Sequence, residues 1–157
     1  MADPATHATL VAAKQRAESE IEGRRAELLA LSHAIHANPE LSWKEYEASK
    51  LVAEALKEAG FAVELGAYGV ETAIEAVYGS GDLTVAICAE YDALPGIGHG
   101  CGHNVIASAG VGAALGSPPS PTRPDCGSSC SARRPRSTAA ARSRCWRPAP
   151  GRTPTSH

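Results

Sequence analysis

Leu83-Thr84-Val85-Ala86-Ile87-Cys88-Ala89-Glu90-Tyr91-Asp92-Ala93-Leu94-Pro95, continuing into Gly96-Ile97-Gly98-His99-Gly100-Cys101-Gly102-His103-Asn104, is the stretch that decides the fold. Its opening run, 83–89, is apolar on both faces, which predicts a strand covered on both sides within an α/β sheet. The glycine-rich loop that follows carries two carboxylates, a thiol and two imidazoles. These side chains bind a borderline-soft divalent ion such as zinc. In open α/β sheets, ligands bind just beyond the carboxyl ends of the strands. Chemistry and position therefore agree on part of a metal site.

Within the loop, Cys101 and His103 are separated by one residue, and Gly100 and Gly102 leave the backbone free to wrap an ion. Cys101 would bind as the thiolate, its pKa lowered by the ion. Glu90 and Asp92 occupy alternate positions at the strand end, so they are expected to face opposite ways. One would approach the ion or orient a ligating histidine, and the other would pair elsewhere. His99 is either a turn residue or a further ligand, and Cys88 is expected to be a small buried hydrophobe.

Working outward, residues 9–36 predict a helix with Ile21, Leu28, Leu31 and Ile35 on one stripe, ended by Asn38-Pro39. His33 and His36 fall on it as surface or packing residues, since no thiol or carboxylate partners them locally. A second helix is signalled by Ser42 as N-cap, Glu45 completing a capping box, and Leu41 with Tyr46 as a hydrophobic staple. Val52, Ala55, Leu56 and Ala59 form its buried stripe, and Gly60 ends it. Phe61, Val63 and Leu65 alternate as a strand. After a turn at 66–69, residues 70–78 alternate again, with Thr72, Ile74, Ala76 and Tyr78 on one face. A turn at 79–82 leads into 83–89, and 105–116, rich in Ala and Gly, predicts a helix packed closely on the sheet. No internal repeat is present.

Composition divides the chain near Gly116. Upstream, aliphatic residues are plentiful and acidic residues outnumber basic ones; from Ser117 onward there is no Leu, Ile, Val, Phe, Tyr, Met, Lys or Glu. Arg123, Arg133, Arg134, Arg136, Arg142, Arg144, Arg147 and Arg152 stand there among Pro, Ser and Ala. Such a segment buries too little apolar surface to offset its ordering entropy, so 117–157 is expected to be disordered and 1–116 to be the folded unit. Five cysteines without a regular framework argue against a disulfide scaffold, and Cys126-x-x-x-Cys130 lacks a second ligand pair at finger-like spacing. Residues 1–14 lack a basic stretch followed by a long apolar one, and no run is long enough for a membrane helix, so a cytoplasmic location is expected.

The run 88–104 closely resembles the metal-dependent amidohydrolases of the aminoacylase and zinc carboxypeptidase superfamily, peptidase family M-twenty, in its p-aminobenzoyl-glutamate hydrolase-like branch. His36-Ala37-Asn38-Pro39-Glu40-Leu41-Ser42 with Glu45 is similar to that branch's N-terminal signature, and the resemblance covers about 18–115. It implies an α/β fold: the N-terminal part of a zinc-exopeptidase-like catalytic domain, a sheet flanked by helices, with the lid and dimerisation domain absent. It also implies hydrolysis of an amide bond next to an amino acid, in an N-acyl amino acid, aminobenzoyl-glutamate or dipeptide-like substrate, by a homodimeric parent enzyme. Carried over by motif, Cys101 and His103 are metal ligands, His99 and Glu90 are further candidates, and Asp92 is a supporting carboxylate. The metal implied is divalent, zinc first, with manganese or cobalt as alternatives. It would polarise the scissile carbonyl and acidify a water that a glutamate deprotonates.

The chain departs from that pattern downstream. The general base is expected in a Pro-Ala-Glu segment, yet after Gly116 there is no glutamate and the only histidine is His157. The Arg, Pro, Ser, Ala bias is what a GC-rich gene yields out of frame. Back-translating 132–151 with GC-rich codons and shifting by two nucleotides permits Ala-Pro-Pro-Ala-Glu-His-Gly-Gly-Gly-Lys. A frameshifted, truncated amidohydrolase is therefore expected, with little activity of its own. Two other classes compete: a binding module whose arginine-rich tail contacts nucleic acid, and a structural zinc protein that unfolds with chelator. The tail's lack of aromatic interleaving and the acidic folded part weigh against nucleic acid.

Overall fold

The computed structural model describes residues 4–79, 83–117 and 126–132. Two helices, α1 (Pro4–Gly23) and α2 (Arg25–Ala37), open the chain, followed by α3 (Tyr46–Glu58), β1 (Ala62–Leu65), a 3-10 turn at Ala67–Gly69, β2 (Ile74–Tyr78), β3 (Leu83–Ala89), α4 (His103–Leu115) and β4 (Cys126–Ala132). The strands form one sheet in the order β1-β2-β4-β3, with β1-β2 and β2-β4 antiparallel and β3-β4 parallel. This is a mixed α/β sheet with helices packed against it.

The single helix expected over 9–36 is two, broken at Arg24, whose φ of −102° and ψ of 10° leave helical space beside Gly23. Glycine there carries the highest backbone entropy cost of any residue in a helix. The stripe is realised in its second half: Leu31 and Ile35 are buried, whereas Ile21 is partly exposed. Helix α3 shows its predicted stripe, with Val52 and Leu56 fully buried, and Gly60 follows it at a φ of 88°. Together with Phe61, Ile74, Ala76, Ala89, Tyr91, Ala107 and Val111 these residues make the core. Each large aliphatic side chain buried in it contributes on the order of 1.5–3 kcal/mol.

The capping box is corrected. Helix α3 begins at Tyr46, and Glu45 at its N-cap makes no side-chain cap. The cap comes instead from Glu40, whose carboxylate accepts from the backbone N–H of Glu47 (3.0 Å) and Ala48 (2.8 Å). A carboxylate satisfies two otherwise orphaned donors and complements the helix dipole. The staple is absent too: Leu41 and Tyr46 are both exposed, and Leu41 bridges Ala93 in parallel register instead.

Strand β3 has the predicted bounds but not the predicted burial. Thr84, Val85, Ala86 and Cys88 are exposed and only Ala89 is buried, because β3 is an outer strand of the described sheet and α4 covers just one face near its carboxyl end. Cys88 is thus not the buried hydrophobe expected. Close packing of α4 is real: a Cβ on Gly110 would stand 2.7 Å from the Cβ of Ala89. Two polar contacts fasten α4 to α2, Ser108 Oγ donating to Leu28 O (2.6 Å) and Asn104 Nδ2 to Ser32 Oγ (3.0 Å).

Disorder throughout 117–157 is also corrected, at Cys126–Ala132, which forms β4 between β2 and β3. Both neighbours offer backbone partners, and a ladder is made by N–H and C=O groups whatever side chains they carry. The remaining tail positions and the turn at 80–82 lie outside the described residues.

Candidate metal centre

The loop begins where the ladder stops. Residues two apart in an extended chain point to the same side, so the expectation that the two carboxylates diverge fails. Both reach His103. Asp92 Oδ1 lies 2.8 Å from Nδ1, and Glu90 Oε2 lies 3.3 Å from Nε2. The backbone carbonyl of Asp92 lies 2.9 Å from the same Nδ1. A carbonyl oxygen can only accept, so Nδ1 carries a proton, and Nε2 faces Glu90.

His103 reaches this position because it is the first residue of α4. Gly102 precedes it at a φ of 75°, a left-handed conformation that costs glycine little, and closes a turn by donating its N–H to His99 O (2.9 Å). Cys101, in the same turn, is exposed, with a free thiol. Asp92 is 4% exposed, and its second oxygen accepts from Ser42 Oγ at 2.7 Å. The segment before α3 is thereby tied to the loop, and the N–H of Ala93 donating to Glu40 O (2.7 Å) adds a second tie. Residue types alone did not single out Ser42 for the site, because its capping motif assigned it another partner.

His99 is placed differently from the other candidates. Its Nε2–H donates to Ile35 O (3.1 Å) at the end of α2, and its ring stacks on His36 with centroids 6.0 Å apart. Nδ1 is buried without a hydrogen-bond partner among the described residues. Burial pushes the His99 imidazole below its ordinary range, and the nearby His36 and His103 add to that shift. The part-buried ring, tied to backbone, braces the loop against α2.

Another buried carboxylate supports the same region. Glu45 is 1% exposed; it accepts from Trp43 N–H and from Thr72 Oγ1, both at 2.8 Å, while Tyr91 donates its hydroxyl to Thr72 O. Trp43, held by the first of these, has a φ of 75°. A positive φ is a strained conformation for a bulky residue and persists only where its surroundings fix it. A groove between α2 and α4 is lined by Leu28, His33, His36, Val105 and Ala109 and includes none of Cys101, His103 and Asp92.

The donor set suits a divalent ion in chemistry. His103 Nε2, already facing a carboxylate, and the exposed Cys101 thiol match the ligands zinc takes. Among the described residues no group of three His, Cys, Asp or Glu side chains converges closely enough to hold an ion alone.

No protein-family model matches the chain. It is 40% identical over 128 residues to the Xaa-Arg dipeptidase of Mus musculus, a match covering 73% of this chain and 30% of that protein. It is 31% identical over 112 residues to one of the subunits of p-aminobenzoyl-glutamate hydrolase from Escherichia coli, covering 60% and 23% respectively. In structure it superposes with a TM-score of 0.58 on a dinuclear metal-binding peptidase of the M20 family from Bacillus subtilis, at 21% identity, covering 70% of this chain and 35% of that one. The chain thus spans under a third of the length of these curated relatives. Hydrolases recur in these matches, and they do not favour the nucleic-acid-binding alternative. Its fold is the N-terminal part of the catalytic domain of such peptidases, and in sequence the chain is similar to dipeptidases and amidohydrolases.

Proposed function

We propose that this polypeptide carries part of the active site of a metal-dependent amidohydrolase acting on an N-acyl amino acid, an aminobenzoyl-glutamate or a dipeptide-like substrate. The observation that supports it best is the His103 ring, with Nδ1 bound to Asp92 and Nε2 turned to Glu90. A divalent ion, zinc first and manganese or cobalt next, supplies Lewis acidity toward the scissile carbonyl and the attacking water when bound. His103 and Cys101 are the residues proposed to hold it, with Glu90 as a third donor. Asp92 fixes the tautomer that makes His103 a ligand. His99 is not proposed as a ligand, since its Nε2 is committed to Ile35 O.

The chain has no glutamate after Gly116 to serve as general base. We attribute this to a shift of reading frame, and β4 adds support. In the frame shifted by two nucleotides, the Asp125–Cys126 junction encodes Leu under every codon choice, and the Ser129–Cys130 junction encodes Leu, Met or Val. With TCN serine codons, the junctions between Gly127 and Ser129 encode only Phe, Leu, Ile or Val. Apart from the Cys126–Gly127 junction, which encodes Arg or Trp, the polar strand thus becomes largely apolar, and Ala-Pro-Pro-Ala-Glu can follow from Ala132. Ala132 is in register with Ala89, the last residue before Glu90. A glutamate just beyond that strand would be delivered beside the loop.

Two measurements test this reading. The 157-residue chain supplied with zinc, manganese or cobalt is expected to hydrolyse N-acyl amino acids no faster than background; turnover abolished by His103→Ala would overturn its inactivity. Sequencing the locus around the Gly116 codon tests the frame, and a locus in which no frame offers an aliphatic, glutamate-containing continuation would sink it.

A further inference from the structure

We infer that Ser42 is a positioning residue of this site, acting on His103 through Asp92. The inference rests on the metal-site reading above and extends it to a residue before α3. Ser42 Oγ donates to Asp92 Oδ2 at 2.7 Å, and Asp92 Oδ1 accepts from His103 Nδ1 at 2.8 Å. The two oxygens of one buried carboxylate are thus occupied from opposite sides, by a hydroxyl fifty residues upstream and by the ring. A buried carboxylate held at one oxygen has little freedom to rotate, so the other oxygen stays aimed at Nδ1.

Ser42 is itself held. Its neighbour Trp43 adopts a φ of 75° with its N–H on the buried carboxylate of Glu45, whose other oxygen is bound by Thr72. Leu41, on the other side, bridges Ala93, and Glu40 O accepts from Ala93 N–H. The strained turn at 42–43 presents the hydroxyl to Asp92 and leaves the capping of α3 to Glu40. Strain kept in place by buried hydrogen bonds beside a polar cluster is the pattern expected where a side chain must be aimed.

The test uses the full chain with Ser42→Ala and Ser42→Thr, and two readouts. The first is the nitrogen NMR signature of the His103 ring, without metal, at a pH where the ring is neutral. The second is cobalt affinity followed by its absorption spectrum. In the parent chain the ring should be almost wholly the Nδ1–H tautomer. Ser42→Ala should give a measurable Nε2–H population and weaken cobalt binding about tenfold, the lower end of the effect of removing an outer partner of a metal ligand. Ser42→Thr, which keeps the hydroxyl, should restore both. An unchanged tautomer in Ser42→Ala, with native circular dichroism, overturns the inference, and so does a shift that Ser42→Thr fails to reverse. Should the parent chain take up no cobalt while the tautomer still follows the hydroxyl, the positioning role stands and the metal reading falls.

Discussion

Asp92 and His103 meet at 2.8 Å through Oδ1 and Nδ1, and this contact fixes the ring of a histidine at a helix start. With a proton on Nδ1 held by Asp92, Nε2 faces Glu90. Replacing Asp92 by Ala leaves the ring only a backbone carbonyl and strands the Ser42 hydroxyl. Loss of zinc affinity by about 10–100-fold is expected, the range for outer partners of ligating histidines, measured by calorimetric titration. Equal affinity in parent and variant would remove Asp92 from the site.

His99 should behave in the opposite way. His99→Ala deletes the hydrogen bond to Ile35 O and the stack on His36, so stability should fall by about 1–2 kcal/mol in urea unfolding. Zinc affinity should stay within about twofold, because the ring is not a proposed ligand. A loss of affinity as large as that of His103→Ala would restore His99 to the ligand set.

Gly110 sets the distance between α4 and β3. Gly110→Ala places a methyl 2.7 Å from the Ala89 Cβ, which forces the helix outward and disturbs the His103 end of α4. Overpacking of this kind costs about 1–3 kcal/mol, against a helix-propensity gain of about 1 kcal/mol for replacing Gly by Ala. Net destabilisation in chemical unfolding is the expected result, and stabilisation would show that the helix has room to retreat.

Which carboxylate caps α3 can be read by substitution. Glu40→Ala removes acceptors for two backbone donors and should cost about 1 kcal/mol. Ser42→Ala should leave the start of α3 intact, as amide exchange at Glu47 and Ala48 would show. Faster exchange there in Ser42→Ala would reinstate the capping box.

Much of the architecture was legible because hydrophobic period is a strong local signal. The bounds of β3, the buried stripe of α3 and the turn at Gly60 followed from it directly. The site was legible in residue type, since Cys101, His103, Glu90 and Asp92 share one loop. Their geometry was not, because which atoms of Glu90 and Asp92 meet His103 depends on the approach of α4, which no local period encodes. Ser42 and Glu45 were misassigned for a different reason. A capping box and a tertiary hydrogen bond use the same side chains, and only the approach of the 90–93 segment, fifty residues away, decides between them. Burial of β3 also depended on what lies over its second face, which no property of its own sequence sets.

Strand β4 separates two kinds of inheritance. Main-chain pairing is blind to what hangs from each α-carbon, so a rung of the sheet can be occupied by Cys-Gly-Ser-Ser-Cys-Ser-Ala and still sit between its neighbours. Catalysis has no such tolerance, because it depends on particular atoms at the ends of those rungs. A chain of this kind can keep its outline while its reactivity is gone, and silhouette is then a record of descent more than of present competence.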